Sequence, residues 1–126
     1  MTMYAEVGGS PFFVTLVDYF YEGVAADDVL MPLYPEGSDL TGAKERLSLF
    51  LIQYWGGPTT YSDSRGHPRL RQRHFPFVIA ERERDHWLMH MLAAVDRVCG
   101  EGNFDASVRQ RLVEYMTNAA QHMVNA

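Results

Sequence analysis

The chain has 126 residues, 47% of them hydrophobic and 21% charged, with a formal net charge of −5; this suits one folded domain over residues 1–126 and excludes a disordered chain. The acidic balance argues against a non-specific nucleic-acid binder, which works by neutralising phosphates. A lone cysteine, Cys99, no apolar run of membrane length and a start, MTMYAEVGGS, without the basic-then-apolar order of a leader make the cytoplasm the expected location, with no membrane partner.

Strand-like alternation is nearly absent, so the expected fold class is all-α. Gly8-Gly9 breaks off a short first segment, and Ser10-Pro11 reads as a helix start. Phe13, Leu16, Val17, Phe20, Tyr21 and Val24 then fall on one apolar face. Asp27-Asp28 opens a short turn that stops near Pro32, and Tyr34-Pro35-Glu36-Gly37 is a corner, because proline disfavours helix in the residue before it. A second long helix is expected from about Leu40 to Trp55, ended by Gly56-Gly57-Pro58. Residues 59–77 are polar, basic and broken by Gly66, Pro68 and Pro76; they read as a long loop with at most a short helix around Arg69 to His74. A third long helix covers about Glu81 to Val98, with Trp87, Met91, Ala94, Val95 and Val98 as its stripe and Gly100 and Gly102 marking its end. The last runs from Asp105 or Ser107 to about Val124, with Val108, Leu112, Tyr115, Met116, Ala119 and Met123 inward.

Three groups of residues have chemistry to offer. His86 and His90 share a helix face at a spacing that can hold zinc. The intervening Trp-Leu-Met supplies no general base, and a half-solvated helix edge is the plainer reading. His74, in Arg-His-Phe-Pro-Phe, is held against apolar neighbours, as an axial haem ligand must be, or caps a helix with a polar partner. Arg65, Arg69, Arg71 and Arg73 face one acid, Asp63, in the same loop: a solvated surface, or a site for an anionic cofactor with carboxylates, to which Tyr61 adds a hydroxyl. Tyr21, Tyr34 and Trp87 lie on apolar faces or at the corner and together suggest a pocket offering donors without charge.

Four segments, Tyr19-Phe20-Tyr21, Leu33-Tyr34-Pro35-Glu36, Gln53-Tyr54-Trp55-Gly56-Gly57-Pro58 and Arg65 through His74, together with the double glycines, resemble a group II truncated haemoglobin over nearly the whole chain. The resemblance implies a two-over-two helical sandwich around haem b. It makes His74 the iron ligand, and Tyr21, Tyr34 and Trp87 the residues that stabilise a bound gas. Ala43, Leu47 and Phe50 line the distal pocket, while Arg46 and Tyr61, with help from Arg73, hold the haem propionates. The corner Glu36 to Leu40 is one residue longer than the group's usual form. The implied function is reversible binding of O2 and other diatomic ligands (CO, NO). Slow oxygen release suits redox chemistry or sensing better than oxygen transport. Peroxidase-like turnover or nitric-oxide dioxygenation extends this, the latter with an electron-donor reductase as partner, and exposed aromatics permit a homodimer. Two other classes compete: a cofactor-free interaction module docking an acidic partner through the arginine loop, and a zinc hydrolase on His86 and His90, which lacks a third ligand.

Overall fold

Every regular element is helical in the computed structural model, which describes residues 1–126. In chain order these are α1 (Met3–Glu6), α2 (Ser10–Val24), α3 (Thr41–Tyr54), α4 (Thr60–Arg65), α5 (Leu70–Arg73), α6 (Glu81–Gly102) and α7 (Ala106–Met123), with a 3₁₀ turn at Met31–Leu33. Helix α2 packs against both α3 and α6, and α7 packs against α6. The result is two helix pairs, α2 with α3 and α6 with α7, joined through α2 and α6.

The apolar stripe of α2 explains its central place. Phe13, Leu16, Val17, Phe20 and Val24 are fully buried, and each such side chain contributes about 1.5–3 kcal/mol of transfer free energy. Pro11 sits in the first turn, where a missing N–H costs no helical bond. After α2 the chain turns at Asp27, whose Oδ1 accepts the N–H groups of Val29 (2.8 Å) and Leu30 (3.2 Å). Tyr34 is extended ahead of Pro35, as proline requires. Asp39 Oδ1 then accepts Thr41 N–H at 3.1 Å where α3 begins.

Three elements differ from the sequence expectation. Residues 3–6 form α1, too short to show a period, and it is held by tertiary contact: Tyr4 N–H donates to the Trp55 carbonyl at 3.0 Å. The double glycine makes this docking possible. Gly56 has φ +105°, and a Cβ on Gly57 would meet the Tyr4 ring at 2.7 Å. Residues 60–65 form α4, where a loop was expected. It buries Tyr61 and is fastened by Gln53, whose amide donates to Ser62 Oγ (2.7 Å) and accepts from Ser62 N–H (2.9 Å). Helix α6 continues past Val98 and through Gly100 to Gly102. One glycine costs a helix only about 1 kcal/mol against alanine, and Asn103, left-handed at φ 52°, is what stops it.

Candidate functional site

A cavity of about 510 Å³ is lined from α2, the corner, α3, α4, α5, α6 and α7. Its volume lies within the roughly 300–1,000 Å³ of small-molecule and cofactor sites. All ten residues singled out from the sequence meet there: Tyr21, Tyr34, Ala43, Arg46, Leu47, Phe50, Tyr61, Arg73, His74 and Trp87. They come from six separate segments, so only the tertiary fold assembles them.

His74 follows α5 and is half-buried in the cavity wall. Its Nδ1 lies 2.6 Å from the Leu70 carbonyl, one turn back. A carbonyl can only accept, so Nδ1 carries the proton and Nε2 is left with a free lone pair. That is the tautomer a metal-ligating imidazole needs, and the bond also fixes the ring. Beyond His74 the backbone is stapled from afar. Asn125 donates its side-chain amide to the carbonyls of His74 (3.3 Å) and Phe77 (3.0 Å) and accepts Ile79 N–H at 2.9 Å.

Across the cavity are the polar aromatics. Tyr21 and Tyr34 meet edge to face with ring centroids 5.7 Å apart. Burial, and then the neighbouring Tyr34 phenol, push the Tyr21 pKa far up, and burial raises Tyr34 as well. Both therefore keep their protons at any physiological pH and remain donors. Trp87 packs its ring against Phe20 at 5.3 Å and is also part of the wall. Ala43, Leu47 and Phe50 form the apolar side, Ala43 and Phe50 buried and Leu47 half-buried.

The cationic residues divide by their partners. Arg46 donates to Glu36 Oε1 at 2.9 Å, an ion pair exposed enough to exchange partners. Tyr61 is buried with its ring against Phe50 at 5.7 Å. Arg73 differs from the expected propionate helper in one respect: its guanidinium already donates to the carbonyls of Pro68 (2.6 Å), Arg65 (2.7 Å) and His67 (3.2 Å). It braces the loop that leads to His74.

Sequence reasoning missed several cavity residues. Glu36 stands in a turn motif, and nothing in its local sequence signals the pairing with Arg46. The inward stripe of α7 was legible, but not that Tyr115, Met116, Ala119 and Met123 border this cavity. The staple by Asn125 has no local signal at all.

The His86–His90 pair refines another reading. Both rings stay half-solvated, as expected, but they share a partner that the sequence does not show. His86 Nδ1 (2.9 Å) and His90 Nε2 (2.7 Å) both contact Oδ2 of the buried Asp27. Burial alone raises the Asp27 pKa, but the two imidazole bonds and the two backbone N–H bonds together hold it below the usual carboxylate range. No group of three or more His, Cys, Asp or Glu side chains is arranged to hold a metal ion. The pair ties the Asp27 corner to α6, on either side of Trp87. Glycine suits position 23, because a Cβ there would run into the His90 ring.

Residues 2–125 match the bacterial-like globin family model. The chain belongs to this globin family. It is 42% identical over 120 residues to the group 2 truncated hemoglobin YjbI of Bacillus subtilis, which spans 95% of this chain and 86% of the relative. A thermostable hemoglobin from the actinobacterium Thermobifida fusca superposes with a TM-score of 0.93 at 57% identity, covering 100% of this globin and 98% of that chain. The hemoglobin of the thermophilic phototroph Chloroflexus aurantiacus gives 0.91 at 48% identity, covering 100% and 99%. The globin is a group II truncated haemoglobin with the two-over-two fold, and haem b is its cofactor. The cavity fits that group by its own chemistry: one imidazole with a free Nε2, apolar walls, and Arg46 and Arg65 as cations for two carboxylates.

Proposed function

We propose that this globin holds haem b with His74 Nε2 as the axial ligand and reversibly takes up O2 and other diatomic gases such as CO and NO. The observation that carries this is the His74–Leu70 bond, which leaves the correct nitrogen free on a residue lining the cavity. Haem iron supplies gas binding and one-electron chemistry; the chain's own residues decide how that chemistry is tuned. Ala43, Leu47 and Phe50 keep water out of the distal side. Tyr21, Tyr34 and Trp87 offer protonated donors to a ligand that draws electron density. One hydrogen bond to a charged group is worth about 1.5–3 kcal/mol, which corresponds to slowing release about tenfold or more when the gain falls on dissociation. Arg46, Arg65 and Tyr61 anchor the two propionates.

His74 answers to a backbone carbonyl and not to a carboxylate. The proximal push is thus of the weak kind, which favours reversible gas binding over peroxide cleavage. Nitric-oxide dioxygenation fits the same site, with a separate reductase. The single cysteine, Cys99, is buried and unpaired, and no helix is long and apolar enough to cross a membrane; a cytoplasmic setting agrees with both. Absorption spectra of the ferric, ferrous and ferrous-CO protein, with haem counted per chain, test the reading. One b-type haem per chain is expected, with the histidine-type CO spectrum lost in His74→Ala. A colourless chain that stays folded and refuses haemin would sink it.

A further inference from the structure

Every basic residue outside residues 59–78, seven in all, pairs with a carboxylate. The four arginines inside that segment pair with none. Its single acid, Asp63, bonds instead to the Thr59 hydroxyl. The segment therefore carries +3, while the remainder of the chain, with seven basic and fifteen acidic residues, carries −8. Arg73 is occupied by its three backbone carbonyls, and those bonds hold the loop in one shape. Arg65, Arg69 and Arg71 are left exposed around it. Arg65 lies over the Tyr61 ring at 5.8 Å and Arg71 over the Phe75 ring at 5.4 Å. Phe75 is itself 57% exposed and nearby Val78 69%.

Unneutralised arginines beside exposed apolar side chains are the composition of a protein interface. An acidic partner is drawn to this one face and repelled by the rest of the molecule, which sets orientation as well as encounter rate. Three cations fall short of the four to eight that bind anionic membranes, and a net charge of −5 disfavours nucleic acid. The patch also flanks His74, and Arg65 lines the cavity itself.

We infer that Arg69, Arg71 and Phe75, next to the propionate-anchoring Arg65, form the docking face for an acidic one-electron donor, an iron–sulfur or flavin protein, that returns this globin's iron from ferric to ferrous. The inference rests on the haem reading of the cavity. One electron leaves the donor's reduced centre and one ferric iron is reduced; no bond forms or breaks. Interfaces of this kind are small and transient, governed by charge more than by area.

The variant R69E/R71E tests it, since neither residue lines the cavity. The probe is an acidic plant-type [2Fe–2S] ferredoxin. Its binding is followed by titration calorimetry in the oxidised state, and its electron transfer by stopped flow in the reduced state. Binding and rate should both fall as salt rises from 10 to about 500 mM, because exposed charges are then screened. R69E/R71E should lose tenfold or more of each at low salt and become nearly salt-independent, whereas R69K/R71K keeps most of both. Reduction by photoreduced lumiflavin, a small neutral donor, should be unchanged in all three. A variant that binds and accepts electrons like the parent overturns the proposal, as does equal slowing with lumiflavin, which would place the defect at the haem. Failure of haemin uptake would show in the spectrum before any rate is measured, and would remove the cavity reading together with the electron-transfer role.

Discussion

Trp87 and Asp27 show what single side chains do at two removes from the cavity. Trp87 borders it and is the one distal donor carried by α6. Trp87→Phe keeps the ring against Phe20 and removes only the N–H. Flash-photolysis and stopped-flow measurements are expected to show oxygen release about tenfold faster, one charged hydrogen bond's worth. An unchanged off-rate would remove Trp87 from the donor set. Asp27 holds the turns on either side of Trp87 through His86 and His90. Its lowered pKa makes a contribution to stability that is whole above the unfolded value near 4 and is lost as pH falls below it. Asp27→Asn should therefore lower the urea midpoint at pH 7, by about 1.5–3 kcal/mol of stability, and the difference from the parent should shrink toward pH 3. A constant difference across that range would show that charge is not what the residue contributes. Of these two residues only Trp87 was visible in the sequence. Asp27 is 59 and 63 positions from its partners, and a carboxylate ahead of a turn looks the same whether it caps the turn or binds two imidazoles.

At the scale of elements, α2, α3, α6 and α7 were legible because each is long enough to repeat its apolar spacing, and Pro11, Pro35 and the double glycine punctuate them at the right places. The proximal side was legible only in part: the short helix expected around Arg69 to His74 is there as α5, whereas α4 carries no such signal. Helices α4 and α5 have six and four residues, too few for a period; Gln53 on α3 fastens the first, and Arg73, at the end of α5, bonds back to the loop before it. In the sequence a family pattern, read from motifs, gathers the ten site residues, while their local spacing alone leaves His74 open between a ligand and a cap. The segment from His74 to Ile79 has no helix of its own and depends on Asn125. Asn125→Ala leaves the cavity wall intact and removes bonds to two carbonyls and one N–H. The expected outcome is faster amide exchange over residues 74–79 and a broadened iron–histidine Raman band, with haem content preserved. Unaltered exchange there would make the staple incidental.

For the molecule as a whole, the cavity is a large interior space bordered by residues of six of the seven helices. Its walls include Leu30, Leu51, Met116 and Ala120, all buried. Haem bound in the cavity would add dispersion contacts along these faces. Haem that binds the folded state alone stabilises by mass action, about 4 kcal/mol when free ligand exceeds its dissociation constant a thousandfold. Scanning calorimetry should therefore show a melting temperature well below the holoprotein's once haem is extracted, restored on adding haemin; coincident melting curves would mean that the helices carry the fold alone. A cofactor that completes the interior also sets how long the polypeptide survives. Chains made while haem is scarce expose this unfilled interior to proteases, so the amount of protein present should follow haem supply even when its messenger does not change.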